Sequence, residues 1–138
     1  MSYRIARVKN RSRKPTDGEL AILRVLWARG PSTVRQVAEA LVRDTGYTTA
    51  LKLLQIMTEK GLVVRNEAER THVYATAASE GATQRQLVTD LMQRVFDGSA
   101  AKLVLHALQA GKASPQELAE IRRLLDAHRG EKNRGGRS

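Results

Sequence analysis

The chain has 138 residues, 41% of them hydrophobic, which gives room for one ordinary domain or two small ones. It contains no cysteine, which excludes disulfides, thiol redox switches and cysteine-based metal sensing, and its formal net charge is +10. No run of about 18 apolar residues predicts a membrane span, and the N-terminus lacks the apolar segment of a signal peptide, so we expect a cytoplasmic protein.

The positive charge lies mainly at the two ends of the chain. Residues 1–15 hold six Lys/Arg and no acid, and residues 129–138 hold four Lys/Arg and one acid, so the ends together contribute +9. We predict a basic disordered arm over 1–15 and a basic disordered tail over 129–138. A basic arm is typical of nucleic-acid binding, but a solvated terminus has the same composition, and both interpretations stay open. The arm residues proposed to contact DNA are Arg11, Arg13 and Lys14.

Two short helices are predicted to open the folded part of the chain. Thr16 and Glu19 have the spacing of a capping box, and the first helix is expected to end at Gly30. Thr33 and Gln36 repeat the same start signal for a second helix. Its apolar residues follow at helical spacing and are expected to be buried: Val34, Val37, Ala38 and Leu41.

A third helix and a β-hairpin follow. We expect Thr48 to cap the third helix, which runs to Lys60 and stops at Gly61. Two β-rich segments, "LVVR" and "HVYA", flank the polar stretch "NEAERT", a pattern typical of a hairpin. Three helices and a hairpin predict a winged helix-turn-helix DNA-binding domain over residues 16–77, so the fold class is mainly α (α+β).

The last three predicted helices, within residues 82–128, indicate a dimerisation domain. The first is expected to open at Thr83 with Gln86, the second at Ser99, and the third at Ser114-Pro115. These three helices span fewer than 50 residues and carry more apolar surface than they can bury among themselves. We therefore predict that a second copy of the chain covers this surface in a homodimer. The residues expected at the subunit interface are Leu87, Leu91, Val95, Phe96, Leu103, Val104, Leu108, Leu118, Ile121 and Leu125.

The third helix has two contrasting faces at 100° per residue. Its apolar face consists of Ala50, Leu53, Leu54 and Met57, which we expect to pack on the first two helices. The opposite face offers hydroxyls, an amide and a cation, a set that suits base edges and phosphates in a major groove, although a solvated face stays possible. Arg65 and Arg70 of the hairpin are predicted to lie along the phosphate backbone. The helix residues predicted to contact DNA are Tyr47, Thr48, Thr49, Lys52, Gln55 and Ile56. For Ile56 two roles stay open, contact with the groove or a thymine methyl, and a tolerated exposed apolar residue.

Four stretches together resemble the penicillinase repressor (BlaI/MecI) family: "PTDGELAILRVLW", "GPSTVRQVAEAL", "YTTALKLLQIMTEKGLV" and "RVFDGS…LVLHAL…SPQELAEIRRLLD". The resemblance covers about residues 16–126 in order. It implies a homodimeric bacterial transcriptional repressor whose winged helix reads a palindromic operator in double-stranded DNA. It also implies that Thr48, Thr49, Lys52 and Gln55 match the groove-facing part of the family's recognition helix.

Several positions depart from the family pattern. Ile56 stands where a basic residue is usual, which removes one expected phosphate contact. His106-Ala107 stands where β-lactam-responsive members are cut at an Asn-Phe bond, which argues against a membrane sensor protease as a partner. The cysteine-rich C-terminus of copper-responsive members is absent. The hairpin turn has "EAERTHVY" where the family tends to have a Gly-Arg turn.

Other functions leave weaker signals. His72, His106 and His128 are isolated in sequence, so no metal site is predicted, and no cofactor is expected. No nucleophile and base stand together, so we expect no enzyme. Two alternatives to a repressor stay open: a sequence-indifferent nucleic-acid binder driven by the tails, and a winged helix used as a protein-interaction module. Competition with unrelated DNA separates the first, and a salt titration separates the second.

Overall fold

A computed structural model of the chain describes residues 14–41 and 45–135. The described residues form six α-helices and three short β-strands, and the chain divides into two compact units, Met1–Val88 and Thr89–Ser138. In chain order the elements are α1 (Asp17–Arg29), β1 (Ser32–Thr33), α2 (Val34–Ala40), α3 (Tyr47–Lys60), β2 (Val63–Asn66), β3 (Val73–Thr76), α4 (Glu80–Val95), α5 (Ala100–Ala110) and α6 (Pro115–Gly135). The predicted arm residues Arg11 and Arg13 lie outside the described residues.

The starts of the first two helices follow their capping boxes. The Thr16 hydroxyl accepts a hydrogen bond from the Glu19 backbone N–H at 3.2 Å, and the Glu19 carboxylate accepts one from the Thr16 N–H at 2.9 Å. Thr33 and Gln36 form the same reciprocal pair at the start of α2. These bonds satisfy N–H groups that a helix N-terminus leaves without intrahelical acceptors, so both predicted starts are confirmed.

Three strands, rather than the predicted two, form the sheet. The order is β1-β3-β2 and both pairings are antiparallel, with Arg65 opposite Tyr74 in the hairpin. The hairpin is therefore confirmed. The additional strand β1 is only Ser32–Thr33, too short to produce the alternating pattern on which a strand prediction depends.

One apolar core lies between α1, α2, α3 and the sheet. Trp27 packs against the edge of this core, and its indole Nε1 donates a hydrogen bond to the Ala78 carbonyl oxygen at 3.1 Å. The buried hydrophobic residues are Ile22, Leu23, Leu26, Val34, Val37, Ala50, Leu54, Met57, Val63 and Tyr74. One face of α3 is therefore buried in this core, and the opposite face is exposed to solvent.

Two predicted helix starts are wrong. Helix α3 begins at Tyr47 with Gly46 as its N-cap, so Thr48 lies inside the helix instead of capping it. Helix α4 begins at Glu80, three residues before Thr83, and the Ser79 hydroxyl accepts a hydrogen bond from the Ala82 N–H at 3.1 Å. In both cases a threonine that suits an N-cap lies inside the helix, because the chain becomes helical earlier, after Gly46 and after Ser79.

The predicted tail is also partly wrong. Helix α6 continues through residues 129–135, which were expected to be disordered. It opens at Ser114, whose hydroxyl accepts from the Glu117 N–H at 3.1 Å, and Pro115 suits the first helical position. Gly130 lies inside α6 and lowers the stability of the helix by only about 1 kcal/mol relative to Ala, which is too little to end it. The boundary predicted between residues 77 and 82 differs as well, since the chain divides into its two compact units after Val88, within α4.

No described residue between 89 and 131 is buried. Helices α4 and α5 are separated by a turn in which Asp97 and Gly98 have φ of 52° and 75°. Ser99 caps α5 as predicted, accepting from the Lys102 N–H at 3.0 Å. None of the helices among the described residues is both long and apolar enough to cross a membrane.

Candidate nucleic-acid interface

Helix α3 has one fully buried side and one exposed side. Ala50, Leu54 and Met57 are 0% exposed. Leu53 packs against the core but is only partly buried. The residues on the opposite side and at the N-terminal end are exposed: Tyr47, Thr48, Thr49, Lys52 and Gln55. The structure therefore brings five of the six predicted DNA-contact residues of this helix onto its solvent side.

Ile56 differs from the other predicted contact residues because it is half-buried. It follows Gln55 by 100° around the helix and so lies at the flank between the buried stripe and the exposed face. The structure thus covers part of a side chain that the sequence pattern placed in solvent. What remains exposed is an apolar edge beside Lys52, four residues earlier.

The first N–H groups of α3 have no acceptor inside the helix. Ala50 N–H is the first to bond within the helix, to the Gly46 carbonyl oxygen at 3.1 Å. Gly46 makes no side-chain cap because it has no side chain. The backbone N–H groups of Tyr47, Thr48 and Thr49 therefore have no acceptor within α3, and the positive end of the helix dipole lies beside them. Such an end favours an anionic group such as a phosphate.

The C-terminus of α3 is closed by local bonds. Gly61 has φ 80° and ψ 16°, and its N–H bonds to the Thr58 carbonyl oxygen at 3.1 Å. The Leu62 N–H bonds to the Met57 carbonyl oxygen at 2.9 Å, which completes a Schellman motif. Glycine suits this left-handed conformation because a Cβ would be strained there. The two ends of α3 thus differ, since a Schellman motif closes its C-terminus while its first N–H groups have no acceptor within the helix.

A buried ion pair fixes the end of α3 to the start of α1. The Lys60 ammonium lies 2.6 Å from the Glu19 carboxylate and donates a second hydrogen bond to the Lys14 carbonyl oxygen at 3.0 Å. Lys60 is 7% exposed and Glu19 is 2% exposed. The ammonium therefore also holds the backbone at the point where the basic segment joins the fold. This pair could not be predicted from the sequence, since only the fold brings together two residues that are 41 positions apart.

The hairpin presents its two arginines differently. Arg70 is exposed in the connection between β2 and β3, as a phosphate contact requires. Arg65 is half-buried, and its Nε donates a hydrogen bond to a Glu67 carboxylate oxygen at 2.7 Å. Hydrogen bonds with Tyr74 and Glu67 raise the pKa of the Arg65 guanidinium above its ordinary value. Arg65 is thus already occupied, and its predicted contact with phosphate requires a change of partner.

The ten residues predicted at the subunit interface are all exposed or half-buried. Leu91, Val95, Val104, Leu108, Leu118 and Leu125 are 40–61% exposed. Leu87, Phe96, Leu103 and Ile121 are half-buried. Phe96 stacks on His106 with ring centroids 5.6 Å apart. Leu105 and Leu124 were not predicted as interface residues, although both are at least 50% exposed.

Comparison with known proteins identifies the family. The family model described as penicillinase repressor matches residues 15–127, and the chain belongs to that family. It is 34% identical over 113 residues to the transcriptional regulator BlaI of Mycobacterium tuberculosis, covering 79% of this chain and 80% of that protein. The penicillinase repressor of Bacillus licheniformis is 22% identical over 119 residues, covering 85% and 93%. The methicillin resistance regulatory protein MecI of Mammaliicoccus sciuri is 19% identical over 119 residues, covering 85% and 97%.

The family assignment confirms three expectations from the sequence. The resemblance to the BlaI/MecI repressors is confirmed, and so is the mainly α fold with a winged helix. The family consists of transcriptional repressors and not of enzymes, which confirms that the chain is no enzyme. The described residues contain no group of three or more His, Asp or Glu placed to hold a metal ion.

Proposed function

We propose that this protein is a homodimeric, DNA-binding transcriptional repressor of the bacterial cytoplasm that binds an inverted-repeat operator. The observation that carries the proposal is the division of α3 into a buried apolar stripe and an exposed polar face. The core fixes the orientation of the helix, so the polar face is presented as a rigid surface. Family membership supports repression as the biological role.

The exposed face of α3 has the chemistry that base recognition needs. The Gln55 amide can bond to adenine through a donor and an acceptor, and the Lys52 ammonium can bond to guanine or to phosphate. The hydroxyls of Thr48 and Thr49 lie in the first turn of α3, where the helix dipole favours a phosphate. In this arrangement the start of α3 positions the helix on the backbone, and Lys52 and Gln55 read bases.

The exposed apolar residues of the second unit support dimerisation. A monomer would leave the apolar side chains of α4, α5 and α6 exposed to water. Large exposed apolar patches usually mark an interface with another protein. A second copy of the chain supplies matching surfaces through two-fold symmetry. The dimer then carries two α3 helices, and their symmetry matches an inverted repeat with half-sites about one helical turn apart.

The basic arm and the hairpin add contacts with the backbone. Lys14 is exposed just before α1, and Arg11 and Arg13 precede it in sequence. We propose that these three cations and Arg70 neutralise phosphates without distinguishing sequences. Proteolytic release by a membrane sensor is not part of the proposal, because the bond at the family's cleavage position is His106–Ala107, inside α5.

Selection of binding sites from a randomised duplex pool tests this function. The full chain is mixed with the pool at about 0.15 M salt, and the retained duplexes are sequenced. We expect an enriched inverted repeat whose half-sites are centred about 10 base pairs apart. Retention without an enriched sequence would support a sequence-indifferent binder instead. No retention at any salt concentration would support a protein-interaction module.

A further inference from the structure

The hairpin of the winged helix is electrically neutral. Residues 63–76 contain two basic residues, Arg65 and Arg70, and two acidic residues, Glu67 and Glu69, so their formal charges cancel. A hairpin that follows a phosphate backbone gains affinity through its cations. The two carboxylates of this hairpin therefore oppose the contact that its arginines favour.

The local geometry shows which carboxylate matters. Arg65 Nε donates to a Glu67 carboxylate oxygen at 2.7 Å, and a terminal guanidinium nitrogen lies 2.5 Å from the same oxygen. On the neighbouring strand Tyr74 stands directly opposite Arg65 and is only 1% exposed. The hydrogen bond with Tyr74 is the main reason why the pKa of Arg65 is raised. The guanidinium is thus paired with a surface carboxylate, next to a strand whose residue opposite Arg65 is a buried tyrosine.

The turn after β2 places Glu67 in this position. The Asn66 side-chain oxygen accepts a hydrogen bond from the Ala68 N–H at 2.9 Å, and this bond folds the chain just beyond the last paired residue. The Arg65 and Glu67 side chains are 34% and 53% exposed. Pairs as exposed as this contribute little to stability and can exchange partners.

We propose that Glu67 is an internal competitor for Arg65 that keeps this guanidinium from contacting DNA phosphate. A carboxylate and a phosphate offer a guanidinium the same type of charge-assisted hydrogen bonds, so the two exclude each other at one site. Glu67 thereby weakens binding to every duplex sequence alike, because phosphate contacts carry no base information. The inference rests on the proposed function in one respect, that the winged helix binds DNA.

Two variants with the same charge change test the proposal. Glu67→Gln and Glu69→Gln each remove one negative charge from the same hairpin, but only Glu67 is paired with Arg65 in the structure. Binding of the full chain to a 30-base-pair duplex of mixed sequence is measured by fluorescence anisotropy between 50 and 200 mM KCl. We expect Glu67→Gln to bind more tightly than Glu69→Gln. The ratio of their affinities should grow about 3.5-fold from 200 to 50 mM, as one additional phosphate contact requires.

A third substitution shows whether the gain passes through the guanidinium. In an Arg65→Met background, Glu67→Gln and Glu69→Gln should bind the duplex equally. Equal binding by the two variants with Arg65 present would overturn the proposal. The proposal would also be overturned if Glu67→Gln still bound more tightly than Glu69→Gln in the Arg65→Met background, since the Glu67 carboxylate would then act by general repulsion of DNA.

The contact itself can be observed without DNA. The Arg65 Nε–H resonance in a ¹H–¹⁵N spectrum should exchange slowly with solvent in the wild type and in Glu69→Gln, and faster in Glu67→Gln. The same exchange rate in all three proteins would show that the pair does not form in solution. Failure of the proposed function looks different: the wild type then binds no duplex even at 50 mM salt, or Gln55→Ala leaves base preference unchanged.

Discussion

Removal of the Lys60 ammonium should destabilise the winged-helix unit strongly. In the structure this ammonium lies 2.6 Å from the Glu19 carboxylate and 3.0 Å from the Lys14 carbonyl oxygen, with both charged side chains buried. Lys60→Met keeps most of the side-chain volume but leaves the Glu19 charge without its partner. Truncation of one member of a buried pair costs about 3–5 kcal/mol. A domain of this size has a free energy of unfolding of about 5–15 kcal/mol, so the loss is a large fraction.

A second substitution separates the pair from the packing. Gln at position 19 can still accept the hydrogen bond from the Thr16 N–H, because Glu and Gln both complete a capping box. The double variant Lys60→Met/Glu19→Gln has no unpaired buried charge, and we expect it to be about 1–3 kcal/mol more stable than Lys60→Met. Lys52→Met makes the same chemical change on the exposed face of α3 and should alter stability by less than about 0.5 kcal/mol.

Urea unfolding followed by Trp27 fluorescence measures these differences. Trp27 is the only tryptophan, and its indole bonds to the Ala78 carbonyl oxygen within the winged-helix unit. The signal therefore reports on that unit alone, even if the second unit unfolds separately. A Lys60→Met protein within about 1 kcal/mol of the wild type would refute the argument. So would a double variant less stable than either single variant.

Three further predictions concern the end of α3, the dimer and the basic arm. Gly61→Ala places a Cβ at φ 80° and should lower the free energy of urea unfolding by about 1–2 kcal/mol; an unchanged value would argue against the left-handed turn. Leu91→Asp and Leu103→Asp should give monomers in sedimentation equilibrium, because the charge would be buried unpaired between subunits; a variant that stays dimeric contradicts the interface. Deletion of residues 1–13 removes five positive charges and should flatten the salt dependence of DNA binding by up to about 4.5 in log–log slope; an unchanged slope would show that the arm touches no phosphate.

Local chemistry explains most of the fold that could be predicted. The capping pairs Thr16/Glu19 and Thr33/Gln36 act over three residues, so their consequence is visible in the sequence before any packing is known. The Ser99 cap and the Gly61 helix end are local in the same sense. Helical periodicity also predicted which side of α3 is buried, since 100° per residue assigns each position to a face.

Features that depend on distant partners could not be predicted. The Glu19–Lys60 pair requires the start of α1 to meet the end of α3. Strand β1 exists because β3 offers it a free edge, not because Ser32–Thr33 has a strand pattern of its own. The pairing of Arg65 with Glu67 depends on the turn that the Asn66 side chain stabilises. Sequence spacing does not show this turn, so Arg65 was predicted to contact DNA phosphate.

Base preference of α3 variants tests the central claim most directly. The operator obtained by selection and every single-base change in one half-site are titrated at fixed salt with the wild type, Gln55→Ala and Lys52→Ala. Gln84→Ala, an exposed glutamine of α4, is the matched control. We predict that Gln55→Ala weakens operator binding by about 1–3 kcal/mol and relaxes the preference at one base position, while the control does neither. If Gln55→Ala and Lys52→Ala both leave affinity and base preference unchanged, the exposed face of α3 does not read DNA.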